Sequence, residues 1–135
     1  MLPLDWLEKN HEGIVRNLAD LVAVPSISTD GEHGHEIERT AHLTCQQMRE
    51  AGLQNVEVLR VGASLPYSYG EWLEAPGKPT VFLYAHHDVQ PINYREQWLS
   101  DPWHLTRRDG RLFARGSADD KGAIVAQLAA VAAYL

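Results

Sequence analysis

Two clusters of histidine and carboxylate side chains carry the chemistry of this chain. The first lies in Tyr84-Ala85-His86-His87-Asp88-Val89-Gln90-Pro91, directly after the apolar run Val81-Phe82-Leu83-Tyr84. The second lies in Arg115-Gly116-Ser117-Ala118-Asp119-Asp120-Lys121-Gly122, before an apolar tail of helical character. Imidazole nitrogen and carboxylate oxygen are donors that Zn²⁺ and similar divalent ions select. Donors from two separate points of the chain are what a site assembled by folding requires. The pair amounts to half of a metal site.

Side chains two apart on an extended backbone point the same way, so His86 and Asp88 share a side and His87 faces away. A ligating imidazole usually donates its other N–H to a carboxylate, which fixes tautomer and ring orientation. His86 as ligand and Asp88 as its clamp fit that geometry. The plainer reading is a strand end capped by polar residues facing water. For Asp119 and Asp120 the plainer reading is stronger, because acidic residues are common at helix N-caps and first turns. A carboxylate there can also bridge two divalent ions, one oxygen to each. Gly116 and Gly122 on either side permit tight turns and close approach.

The elements that would hold these clusters alternate in type. Asp5 to Val22 places Leu7, Ile14, Leu18, Leu21 and Val22 at mostly helical spacing, closed by Pro25. A second helix is expected from His35 to Ala51, with Ile37, Ala41, Cys45 and Met48 on one face and Gly52 as its stop. Residues 56–61 and 69–73 read as strands. Residues 80–86 read as a central strand, apolar on both faces and therefore covered on both sides. Asp109-Gly110, between 104–108 and 111–114, is a type I′ hairpin signal. From Lys121 onward the pattern is a helix apolar nearly all round, hence buried. The sum is an α/β layer fold, with helices on both faces of a sheet and the clusters at strand ends.

Composition narrows the partners. An apolar fraction of 44% and a charged fraction of 22% over 135 residues describe a globular chain with a real core. A net charge of −6, without a basic patch beyond Arg107-Arg108, argues against nucleic acid or an anionic membrane surface. The single cysteine, Cys45, favours a reducing compartment, and a cytoplasmic location is expected. No basic segment followed by an apolar block opens the chain, and no apolar run reaches membrane-spanning length. His33, His35 and His42 are spaced like a metal cluster but are expected on a solvated surface, as are His11 and His104. The four tryptophans are expected to pack, and Cys45 to be a small core residue.

Together the two clusters, with Trp98, Asp101-Pro102-Trp103 and Asp109-Gly110-Arg111-Leu112-Phe113-Ala114 between them, resemble the binuclear-zinc aminoacylase and carboxypeptidase family. Val89-Gln90-Pro91 with Trp98 and Asp101-Pro102 is most similar to its carnosinase-type dipeptidase branch. The resemblance is dense over residues 80–123, and Val24-Pro25-Ser26-Ile27-Ser28 resembles an early turn of the family. It implies that His86 is a ligand of one ion, that Asp119 bridges both, and that Asp88 serves catalysis by orienting the imidazole. It implies two Zn²⁺ per complete site, Mn²⁺ or Co²⁺ being other ions of the same kind. Ala85 stands where the family usually has Gly, and His87 occupies a variable position.

The family's general-base glutamate and further ligands follow the bridging aspartate, whereas Glu96 is the last glutamate of this chain. The expectation is therefore that residues 1–135 form the N-terminal part of a metallopeptidase catalytic domain, without the remainder or the dimerisation domain. The expected parent activity is hydrolysis of dipeptides or short peptides, with the fragment inert alone and the parent a homo-oligomer. Two other readings stand beside it: an amidohydrolase of the same family deacylating N-acyl amino acids, and a non-enzymatic, self-associating fragment.

Overall fold

The structure, a computed structural model, describes residues 1–135. Helix α1 spans Pro3–Val22 and α2 spans Gly34–Glu50. Strands β1 (Gln54–Leu59) and β2 (Tyr67–Glu71) form one antiparallel pair, β3 (Thr106–Arg108) and β4 (Arg111–Phe113) another, and α3 closes the order at Lys121–Tyr134. The chain is a mixed α/β unit.

Local chemistry explains most boundaries. Pro3 sits in the first turn of α1, where its missing N–H removes no hydrogen bond. Pro25, which has no N–H, lies just beyond its end. Helix α2 begins one residue before the sequence signal and stops before Gly52, whose φ of +94° suits a left-handed stop. In the β3–β4 turn, Asp109 and Gly110 both take positive φ, 50° and 71°, as a type I′ turn demands. Strands β1 and β2 each start two residues earlier than their alternation suggests, a shift ordinary at element ends.

The main core forms where α1 meets α3. Leu18, Leu21 and Val22 pack with Ile124 and Val125, and Ile14, Leu105, Leu112 and Leu128 border the cluster. Burying one such side chain is worth about 1.5–3 kcal/mol, so this contact orients α3 and the turn before it. The other face of the chain is built by α2 against β1–β2, with Ile37, Ala41 and Cys45 buried. Helix α3 is covered on one side only: Lys121, Ile124, Val125 and Ala129 are buried, while Ala126, Ala130 and Tyr134 are exposed.

Two expectations are corrected, the first being the all-round burial of α3, which has a covering neighbour on one side only, and the second the covered central strand. Residues 80–86 join no ladder, and Val81, Phe82, Leu83 and Tyr84 are 76%, 85%, 50% and 72% exposed. The residue types suit a covered strand, but burial needs neighbours, and no strand of the chain pairs with this segment; only Gln127 of α3 reaches it, donating to the Tyr84 carbonyl at 2.8 Å. The nearest pairing is a single parallel bridge between Ile27 and Val89. That bridge ties the segment after α1 to the first chemical cluster.

Candidate metal centre

The chain after α1 builds the first half of the site. Ser26 Oγ donates to the carbonyl of His87 at 2.7 Å, and the Val89 N–H donates to the Ser26 carbonyl at 2.9 Å. Ser26 and Val89 are both buried, so residues 87–89 are fixed in register against 26–28. The His86 and Asp88 side chains then fall on one side. The Nδ1–H of His86 donates to Asp88 Oδ1 at 3.0 Å and lies 3.3 Å from the Asp88 carbonyl. Ser28 Oγ donates to the other carboxylate oxygen, Oδ2, at 2.5 Å.

The second half is set by the turn before α3. Gly116 turns with φ +81°, and a Cβ there would meet Val89 Cγ1 at 2.7 Å. A Cβ on Gly122 would overlap the Ser117 carbonyl, so the turn needs glycine at both ends. The Asp119–Asp120 peptide is cis. Asp120 makes no side-chain cap to α3; its Oδ2 instead accepts from the His86 backbone N–H at 3.2 Å. Asp119, 87% exposed at its side chain, points Oδ1 toward His86 Nε2 at 3.1 Å.

This closes a chain of contacts from Ser28 through Asp88 and His86 to Asp119. When Nδ1 carries the single ring proton for Asp88, Nε2 presents a lone pair to a carboxylate oxygen. Two acceptors at that distance call for a proton or a cation between them. A tetrahedral ion with bonds of about 2.1 Å separates its ligand atoms by about 3.4 Å, close to the observed gap. The donor types and their spacing therefore fit a divalent ion. No group of three or more His, Cys, Asp or Glu side chains able to hold an ion occurs in the chain, so the ligand set is partial.

The protonation equilibria follow the same layout. Burial pulls the His86 pKa down, but the charge and hydrogen bonds of Asp88, helped by the charge of Asp120, overcome it and raise the value above 6.5. Burial pushes Asp88 up, while the Ser28 hydrogen bond and His86 outweigh it and hold Asp88 below its ordinary value. His87 is different: it faces away, with Nε2 3.2 Å from the Pro66 carbonyl and a buried, unpartnered Nδ1. Burial lowers its pKa and favours the neutral ring.

Comparison with known proteins finds a family match over the segment that carries both clusters. Residues 82–135, which contain both clusters, match the model of peptidase family M20/M25/M40. The Cys-Gly metallodipeptidase dug1 of Schizosaccharomyces pombe is 29% identical over 138 residues, covering 95% of this chain and 29% of that protein. The Beta-Ala-His dipeptidase of Mus musculus is 31% identical over 140 residues, covering 96% of this chain and 28% of that protein. The crystal structure of human carnosine dipeptidase 1 superposes with a TM-score of 0.88 at 29% identity, over 98% of this chain and 30% of that one. Residues 82–135 match this peptidase family, and the whole chain is similar to its dipeptidases. It spans under a third of the length of each of these relatives.

The histidines outside the clusters have carboxylate partners or face solvent. His33 pairs with Asp30 at 2.9 Å and His42 with Glu38 at 3.2 Å, each with its own carboxylate. Sequence reasoning missed two contributors, Ser28 and Lys121. The turn around Val24-Pro25-Ser26-Ile27-Ser28 was the available signal for the first. Lys121 gave none, since a lysine beside two aspartates ordinarily faces water.

The glycine requirement is testable. Gly116→Ala should destabilise the fold by about 2–4 kcal/mol, the sum of left-handed strain and overpacking against Val89. Urea unfolding measures it; a loss under about 0.5 kcal/mol, the size of a neutral surface change, would show that the turn has room to relax.

Proposed function

We propose that this chain contributes the first ligands of a cocatalytic metal site to a metallo-exopeptidase of the dipeptidase type. In this reading His86 binds one ion through Nε2, Asp119 shares its carboxylate between two, and Asp88 keeps the imidazole in the ligating tautomer. The observation that carries it is the 3.1 Å approach of Nε2 to Asp119 Oδ1 behind a clamped Nδ1. Ions bound there, Zn²⁺ being the best match to nitrogen and oxygen donors, would polarise the scissile carbonyl of a dipeptide and supply an activated water. The chain's own task is to hold ligands in place before any ion arrives. An amide of an N-acyl amino acid presents the same carbonyl, so the deacylase reading uses the same residues. Similarity to the Cys-Gly and Beta-Ala-His dipeptidases over nearly the whole chain supports the dipeptidase reading.

The 135-residue chain should not hydrolyse dipeptides by itself. Only Asp88, Asp119 and Asp120 approach His86, and each already has a structural or ligand role, leaving no free general base. General acid–base catalysis is worth about 10²–10⁴-fold, and absent ligands cost more. An assay of dipeptide hydrolysis with added Zn²⁺ tests this. Turnover that persists through purification and disappears in His86→Ala would contradict it.

The exposed run from Val81 to Tyr84 supports a further part of the reading, namely that copies of the chain associate. Contiguous apolar surface of this kind seeks cover. Light scattering at micromolar concentration should give a dimer or larger; a monomer that binds no hydrophobic dye would refute it. No helix is long and apolar enough to cross a membrane. The unpaired, buried Cys45 fits the cytoplasmic location in this proposal.

A further inference from the structure

The segment between α1 and α2 is not only a connection, because one of its hydroxyls reaches the chemical cluster. Ser28 Oγ donates to Asp88 Oδ2 at 2.5 Å, while Asp88 Oδ1 accepts from His86 Nδ1 at 3.0 Å. The carboxylate thus has one oxygen for the serine and one for the imidazole, and no other side chain donates to Oδ2. A carboxylate held by one hydrogen bond can rotate about its Cβ–Cγ bond; held by two on opposite oxygens, it cannot. Ser28 itself is placed by the parallel bridge of Ile27 with Val89 and by the buried Ser26.

We propose that Ser28 is a positioning residue of this site, which acts through Asp88 to keep His86 protonated on Nδ1 and its Nε2 lone pair free for a cation. The proposal rests on the metal-site reading above and extends it by one link. The imidazole has a choice of carboxylates, Asp88 at Nδ1 and Asp119 at Nε2, 3.0 and 3.1 Å away. Only the first leaves Nε2 able to bind an ion. Ser28 tilts that choice by fixing the orientation of Asp88, and it touches neither the ion's position nor a substrate.

Ring-nitrogen NMR of the ¹⁵N-histidine-labelled, metal-free chain, at a pH above the imidazole range, reads the tautomer of His86 directly. The wild-type chain should hold the Nδ1–H form. Ser28→Ala should move the tautomer ratio about two- to ten-fold toward Nε2–H, the range covered by one hydrogen bond of ordinary strength. Ser28→Thr, which keeps the hydroxyl, should restore the wild-type ratio. Ser28→Cys keeps the volume with only a weak donor; it should reproduce the alanine shift, and it decides the matter if the alanine variant does not fold. Wild-type ratios in folded Ser28→Ala and Ser28→Cys would overturn the proposal. An unchanged ratio in Asp88→Asn would overturn it as well, by removing the link on which Ser28 acts. The serine-dependent shift, found in a chain that Zn²⁺ titration shows not to bind metal, would uphold the link while refuting the metal-site reading.

Discussion

Replacing His86 by alanine is expected to abolish zinc binding by this chain, whereas His87→Ala leaves it within about twofold, the scale of a change outside the ligand shell. The two residues are neighbours in sequence and opposites in environment. His86 is held by Asp88 on one nitrogen and faces the Asp119 carboxylate with the other. His87 turns to the Pro66 carbonyl, and its second nitrogen is enclosed without a partner. Loss of a residue that only orients a ligand typically costs about 10–100-fold in affinity. Loss of the ligand itself removes one of the two proposed donors, Asp119 being the other, and should cost more. Absolute affinity should be weak even in the wild type, because catalytic zinc ordinarily takes about three protein ligands. Isothermal titration of the three proteins gives the ranking. Equal losses in both variants would show that the ion is held elsewhere, and a reversed ranking that the register of residues 86–88 is shifted by one.

How far this site is legible in the sequence depends on how local each cause is. The hairpin at Asp109-Gly110 and the stop at Gly52 are local, because positive φ is nearly a property of the residue itself, and both are found as expected. The side shared by His86 and Asp88 follows from the two-residue repeat of extended chain and is confirmed by their hydrogen bond. The covering of residues 81–84 is not local. Their composition describes what such a segment packs against when a sheet surrounds it, and these 135 residues place no strand beside it. The role of Asp120 is also non-local: a helix-start aspartate is expected to cap its own helix, but the His86 N–H outcompetes that bond from a distant part of the chain. Ser28 and Asp88 lie 60 residues apart, so only the fold brings their side chains together.

Lys121→Ala is expected to lower the stability of the chain by about 3–4 kcal/mol, a large part of the roughly 5–15 kcal/mol that a domain has. The side chain is fully buried, between the start of α3 and the end of α1. Its Nζ donates to the carbonyls of Leu21 and Val24, both at 2.8 Å. Those carbonyls lie where α1 ends, and Pro25 has no N–H to offer the Leu21 oxygen in the helical pattern. Each keeps only a short-range turn contact, from the N–H of Val24 at 3.2 Å and of Ser26 at 2.9 Å. Two lost hydrogen bonds account for about 1–3 kcal/mol, and the vacated space of the four-carbon stem for about as much again. One effect opposes the loss: burial pushes the ammonium pKa down to about 7, against the pull of Asp88, so removing the group also removes a desolvation cost. Lys121→Met separates the contributions, since it keeps the stem and drops both the donors and that cost. It should lose only about 1–2 kcal/mol. Urea unfolding with unchanged slope measures both variants. Because Lys121 follows Asp119 and Asp120 directly, the alanine variant should also lose the approach of Asp119 to His86. An alanine variant as stable as the wild type would mean that packing of α1 on α3 alone places the turn, and that the buried lysine is a consequence of that packing.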